Sequence, residues 1–306
     1  MLRTLSVSCI SLTFAASLAV AAEAAPEKAQ LSAAQIVDKY VAASGGLQAW
    51  RAVQTLSLAG KLGVGGNQRA SLHVPTADPV PNGASPVVSH RRVEEVQVPF
   101  LMELKRPRKL RFELQFNGQT AVQVYDGVNG WTLKPFLNRN EVEPYTADQI
   151  KIASMKSDLD GPLMDYAAKG NRVDLDGGEK VEGRDTYKLK LTMKNGQVVH
   201  VWIDSQSFLE TKIEGTPRRL DGVEHSVETY FRDYRAVDGL QIPFVLETKV
   251  LPAAKNALGL RDTPVPVERI TIEKVEVNPK LEESHFSKPV AGPATSAKAK
   301  ATAGQS

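Results

Sequence analysis

The chain has 306 residues, a formal net charge of +3, 42% hydrophobic residues and one cysteine. That charge is spread along the chain with no basic stripe interleaved with aromatics, which argues against nucleic-acid binding. The single Cys9 excludes a disulfide framework and a thiolate metal site. Arg3 is followed by an apolar and small-residue run, Leu5 to Ala22, that ends in small residues before Pro26. This is the pattern of a cleavable secretory signal. The hydroxyl residues Ser6, Ser8, Ser11, Thr13 and Ser17 dilute the run below what a membrane span of about 20 apolar residues needs. Residues 1–24 are therefore expected to be removed on export to the periplasm, taking Cys9 with them.

Ser32 is placed to cap a helix with Ile36, Val37, Tyr40 and Val41 on one face and Gly45-Gly46 as its stop. A short turn with Trp50 follows, then a strand over Thr55 to Leu62. The Pro-, Gly- and Ser-rich stretch Asn67 to Ser89 reads as a long surface loop. Strict alternation then begins with Val96, Val98, Phe100, Met102 and Leu104, and resumes with Leu110, Phe112, Leu114 and Phe116. Period two of this kind predicts strands with one apolar and one wet face. Asn117-Gly118, Asp126-Gly127 and Asn129-Gly130 turn the chain through Tyr125 and Trp131 into further antiparallel strands.

From Thr146 the period becomes helical through Ile150, Ile152, Met155 and Leu159, with a stop at Gly161-Pro162 and a second short helix at Leu163, Met164 and Tyr166. Strands resume near Val173, with a hairpin at Asn195-Gly196 and later runs over Leu209–Ile213, Ser226–Tyr234, Phe244–Val250 and Arg269–Val277. About ten strands with a helical insert predict a mainly β, α+β domain: a curved antiparallel sheet whose apolar face is covered by helices. The folded domain is expected over residues 25–286, and residues 287–306, poor in large apolar groups, as a disordered tail.

Motifs for catalysis are missing from the sequence. His73, His90, His200, His225 and His285 are scattered singly, and a strand histidine such as His200 is more often solvent-facing than a ligand. Asp158-x-Asp160-Gly161 and Asp174-x-Asp176-Gly177 open like calcium loops but lack the later oxygen ligand and closing Glu, so turn and capping roles are expected. There is no nucleophile elbow, P-loop or dinucleotide fingerprint. A non-enzymatic protein without cofactor or metal is expected.

What remains is apolar surface. The strands offer Phe100, Met102, Phe112, Leu114, Tyr125, Trp131, Leu189, Leu191, Trp202, Tyr230 and Phe244. The helical insert adds Ile152, Met155, Leu159, Leu163 and Met164. Apolar periodicity alone does not separate a filled core from a ligand cavity. Methionines are adaptable linings for acyl chains of variable shape.

The segments Lys105-Arg106-Pro107-Arg108-Lys109-Leu110-Arg111-Phe112-Glu113 and Tyr125-Asp126-Gly127-Val128-Asn129-Gly130-Trp131 are similar to the outer-membrane lipoprotein-sorting (LolA-like) family. The same holds for Gly161-Pro162-Leu163-Met164-Asp165-Tyr166 and for Val201-Trp202-Ile203-Asp204 through Glu210. The resemblance implies an incomplete β-barrel with a helical lid over an apolar cavity, periplasmic location, and binding of a lipid or lipoprotein acyl chain; a monomer is expected. It also implies an early-strand arginine that hydrogen-bonds the lid backbone, a role matched here to Arg111. The alternatives on the same scaffold are a sensor or regulatory module docking an envelope membrane protein, and an accessory to an exported peptidase.

Overall fold

The computed structural model describes residues 31–65, 95–135, 139–220, 223–252, 265 and 267–290. The expected signal segment, the Asn67 to Ser89 loop and the tail beyond 290 lie outside these residues. The described residues from Ser32 onward form one compact unit.

Two helices open it, α1 (Ala33–Ala43) and α2 (Leu47–Ala52). The N-terminus of α1 closes in a capping box: the Ser32 hydroxyl accepts from the Gln35 N–H, and the Gln35 side chain accepts from the Ser32 N–H. Such a box satisfies two N–H groups that no helix bond can reach. After α1 the chain turns through Gly45, whose φ of 113° favours glycine. A Cβ there would collide with the Gly239 carbonyl oxygen, so the bare glycine lets the end of α1 seat on the turn around Gly239. The Ser44 carbonyl accepts the Gln241 N–H at 3.1 Å in the same contact.

Six strands follow: β1 (Thr55–Gly65), β2 (Glu95–Lys105), β3 (Lys109–Phe116), β4 (Gln119–Tyr125), β5 (Gly130–Lys134) and β6 (Arg139–Pro144). Then comes α3 (Ala147–Lys156), capped by Thr146 in a second capping box. The second block is β7 (Arg172–Val181), β8 (Arg184–Thr192), β9 (Val198–Asp204), β10 (Glu210–Glu214), β11 (Arg218–Leu220), β12 (Val223–His225), β13 (Val227–Val237), β14 (Leu240–Val250) and β15 (Glu268–Val277). A 3-10 turn, Glu283–Phe286, ends the described fold.

Thirteen strands form one antiparallel sheet in the order β6-β5-β4-β3-β2-β1-β15-β14-β13-β10-β9-β8-β7, and β11 and β12 pair as a separate hairpin. The sheet is curved and does not close, since β6 and β7 are left as its edges. Fifteen strands among the described residues exceed the ten expected, chiefly because β6 is polar and β11 and β12 are three residues each, too short to show alternation. The short helix expected at Leu163 to Tyr166 is instead a series of turns. Gly161 and Asp165 adopt φ of 72° and 54°, which a right-handed helix cannot include.

One sheet face carries the main core: Leu56, Leu58, Phe100, Leu104, Leu110, Tyr125, Ile242, Phe244 and Ile272, packed with Trp50 of α2, Ala153 of α3, and Leu159 and Met164 of the turns after it. On the other face of β4 and β5, Val122, Val124 and Leu133 are covered by Phe286, which is 1% exposed. That C-terminal strap is fastened by Lys105 and Lys109 to Glu283, by His285 to Glu103 at 2.8 Å, and by Arg111 donating to the His285 carbonyl.

Candidate functional site: a helix-covered apolar face

The core face changes character along the strands. Toward α2 it is closed, with Leu56, Leu58, Leu104 and Leu110 all buried. On the same face Leu62, Met102, Phe112, Leu114, Leu246 and Ile270 stay half-buried while packing on the same cluster, Met102 between the buried Phe100 and Leu104. The register gathers them in two patches: Leu62 pairs with Ile270 and Ile270 with Leu246, while Met102 pairs with Phe112 and Leu114 lies opposite the buried Phe100. Phe112 stacks on Phe100 with ring centroids 5.9 Å apart. These half-buried side chains make up an apolar groove floored by sheet, with Ile150 of α3 packed on the same cluster. Alternation produces it, since the polar partners Glu103, Arg111 and Glu113 take the opposite face.

The helices over this face are held by an arginine. Arg106, in the turn after β2, donates from Nε to the Val53 carbonyl at 2.7 Å, and from Nη2 to the Trp50 carbonyl at 3.0 Å and to Asp160 at 2.7 Å. Lys169 completes the network with ion pairs to Asp158 at 2.9 Å and Asp160 at 2.6 Å. Burial works against the charge on Asp160, but its bonds to Lys169 and Arg106 outweigh that and hold its carboxyl below the usual range. Asp158, with burial dominating, is pushed up. The calcium-like Asp158-x-Asp160-Gly161 is thus filled by a lysine ammonium, and the described residues contain no cluster of three or more metal-ligating side chains. Arg51 adds a further tie to Asp165 at 2.5 Å.

Of the residues read from the sequence, Phe100, Met102, Phe112, Leu114, Tyr125, Leu159, Met164 and Phe244 are brought together in the helix-covered cluster. Leu163, Leu189 and Leu191 are fully buried, the last two paired with Val201 and Val199. Ile152 and Met155 are half-buried on α3, whose inward positions in the cluster are Ile150 and Ala153.

Four placements correct the sequence reading. Arg111 pairs with Glu103 and Val124, points to the opposite face, and binds Glu113 and the strap. The arginine that hydrogen-bonds helix backbone is Arg106 instead. Trp131 packs against the Val122, Val124, Leu133 and Phe286 cluster on the strap side. Trp202 and Tyr230 also turn away from the helices: Lys212 lies 3.8 Å over the Trp202 ring, Lys249 lies 4.0 Å over Tyr230, and the Trp202 indole N–H donates to Glu179. In each case the flanking residues, such as Val201 and Ile203 around Trp202, take the core face, so alternation sends the aromatic outward.

On the strap side an open pocket of about 460 Å³ is bordered by Lys109, Trp131, Glu283, Phe286 and Lys288 among others. It is separate from the apolar groove. No described helix is long and apolar enough to cross a membrane.

An open antiparallel sheet with helices seated on one apolar face defines a class of half-barrel proteins. Among solved structures the chain is similar to a LolA superfamily protein from Nitrosomonas europaea at 13% identity and a TM-score of 0.50, covering 85% of this chain and 99% of that one. It is also similar to a DUF1329 family protein from Desulfovibrio piger at 14% identity and a TM-score of 0.49, covering 83% and 97%, and to a putative outer membrane lipoprotein-sorting protein domain from Vibrio parahaemolyticus at 12% and 0.47, covering 83% and 95%. The Nitrosomonas structure carries the fold assignment, and the chain has the LolA-type fold. No family model and no curated protein matches the sequence.

Proposed function

We propose that this protein is a non-catalytic binding or carrier protein for the acyl chain of a lipid or lipoprotein, acting in the periplasm. The observation that supports this most is the groove of Leu62, Met102, Phe112, Leu114, Leu246 and Ile270, half-exposed on the face that the helices cover. Several apolar side chains left half-wet on one face are costly in water unless something apolar covers them. The signal-like N-terminus supports export.

The test is native mass spectrometry, followed by lipid extraction, of mature protein purified from the periplasm without detergent. A discrete added mass that extracts as lipid is the expected result. An unliganded mass with no extractable lipid overturns the carrier reading in favour of a protein-docking module.

A further inference from the structure

Glu210 opens β10 and pairs with Ile203, whose side chain belongs to the buried, helix-side face of β9. No hydrogen bond or ion pair to its carboxyl occurs among the described residues; only its backbone carbonyl is engaged, by the Tyr234 hydroxyl at 2.9 Å. Two tyrosines from other elements converge there, Tyr40 from α1 and Tyr234 from β13. Both hydroxyls are raised by burial and then by the neighbouring Glu210 carboxyl, and Tyr234 also responds to Tyr40. α1 is fixed above this point by Lys39, whose ammonium lies 5.0 Å over the Phe208 ring, and by the Ser44 contact described above. All three side chains are half-buried, and burial is the first cause of the shift at each of them. Tyr40 packs on the same apolar cluster as the groove.

A carboxyl held unpaired in such a place is expensive unless it is neutral or met by a ligand. The charged groups around it offer no counterion. Lys39 is engaged on Phe208, and Asp160, which also faces Tyr40, is saturated by Lys169 and Arg106. Asp204 of β9 accepts from the Gln206 and Ser207 N–H groups, and Lys212 leaves β10 on the opposite face. An anionic headgroup would find no cation here, whereas an uncharged group that both donates and accepts would match a carboxylic acid beside two phenols.

Resting on the carrier reading, we infer that Glu210, Tyr40 and Tyr234 form the polar anchor of the apolar site and take an uncharged hydrogen-bonding group, a hydroxyl or ester, joined to the acyl chain. Glu210 works in its protonated form and loses both its donor and its tolerance of a dry pocket when it ionises.

The experiment measures binding of 1-myristoylglycerol to the full mature chain at pH 6 and pH 9 by calorimetry. Burial pushes Glu210 up to about 8, so the competent fraction falls about tenfold between the two conditions, and the affinity of the wild type falls about tenfold with it. Glu210→Gln, which keeps an uncharged donor and acceptor, binds with a flat pH profile, and Tyr40→Phe weakens binding at pH 6. A flat wild-type profile, or the same tenfold fall in Glu210→Gln, overturns the anchor while leaving the carrier reading intact. No binding of 1-myristoylglycerol by the wild type at either pH overturns the anchor as well, and the lipid extraction above then decides the carrier reading independently.

Discussion

Arg106 ties together separate segments on the helix side. It joins α2, the Val53 carbonyl that follows it and the turn after α3 through three hydrogen bonds. Removing it leaves Asp160, whose side chain is 4% exposed, with one cation where it had two. Charge-assisted hydrogen bonds contribute about 1.5–3 kcal/mol each, and some relaxation toward water offsets part of the loss. Arg106→Ala is therefore expected to lower unfolding free energy by about 2–4 kcal/mol in urea titrations. Arg106→Lys should recover little, because a point charge cannot reproduce the fork.

Glu210 makes the opposite kind of prediction. Its folded pKa lies above its unfolded value, so the native state holds the proton longer and stability falls as pH rises from about 4.5 to 8. Glu210→Gln should match the wild type near pH 4 and exceed it by a few kcal/mol at pH 9, since a tenfold change in proton affinity on folding corresponds to about 1.4 kcal/mol. Equal stabilities at pH 9 in chemical denaturation would show that water reaches the carboxyl freely. Asp160 acts in the reverse sense: its depressed pKa stabilises the fold above the ordinary carboxylate range, and that contribution is lost on acidification through its folded pKa.

At the scale of elements, α1 and α3 are short helices that need their ends satisfied. Each carries a complete capping box, at Ser32 and at Thr146. Thr146→Ala should cost about 1 kcal/mol and loosen α3 over the groove, visible as faster amide exchange in residues 147–156. The strap is a second element with a distinct role. Phe286 fills the space between Val122, Val124 and Leu133, so Phe286→Ala should cost about 3 kcal/mol while leaving lipid binding on the opposite face unchanged. A loss of lipid binding in that variant would show that the two faces are coupled.

Elements also differ in how far their own residues reveal them. The Ser32 cap, the Asn117-Gly118 and Asn195-Gly196 hairpins and the amphipathic strands are local signals, and the structure has them where the residues place them. The apolar spacing over Leu163 to Tyr166 is helical, yet Asp165 takes a left-handed conformation that no spacing reveals, and turns form there instead. The polar strand β6 escapes a sequence reading for the complementary reason: it is held by pairing with β5, and shows no apolar stripe.

For the whole molecule, the sheet stays open and its helices occupy one face, so the fold depends on what lies against that face. A bound acyl ligand should stabilise the protein by mass action, about 2.7 kcal/mol at a hundredfold excess over Kd, read as a rise in thermal midpoint with added 1-myristoylglycerol. The open edges, β6 and β7, carry Arg139, Glu141, Glu143, Arg172 and Asp174, charges that discourage edge-to-edge pairing.

The sequence by itself determined the strand and helix periods, the caps and turns, and the existence of an apolar set that includes Met102, Phe112 and Leu114. Those are consequences of local geometry, which repeats every two or 3.6 residues and is written in neighbouring side chains. Only the tertiary structure decided which face each set lands on, which arginine reaches the helices, and that the Glu210 carboxyl, beside Tyr40 and Tyr234, has no partner among the described residues. Those outcomes depend on register and on contacts between residues far apart in the chain, and a period does not record the face toward which the helices finally fold.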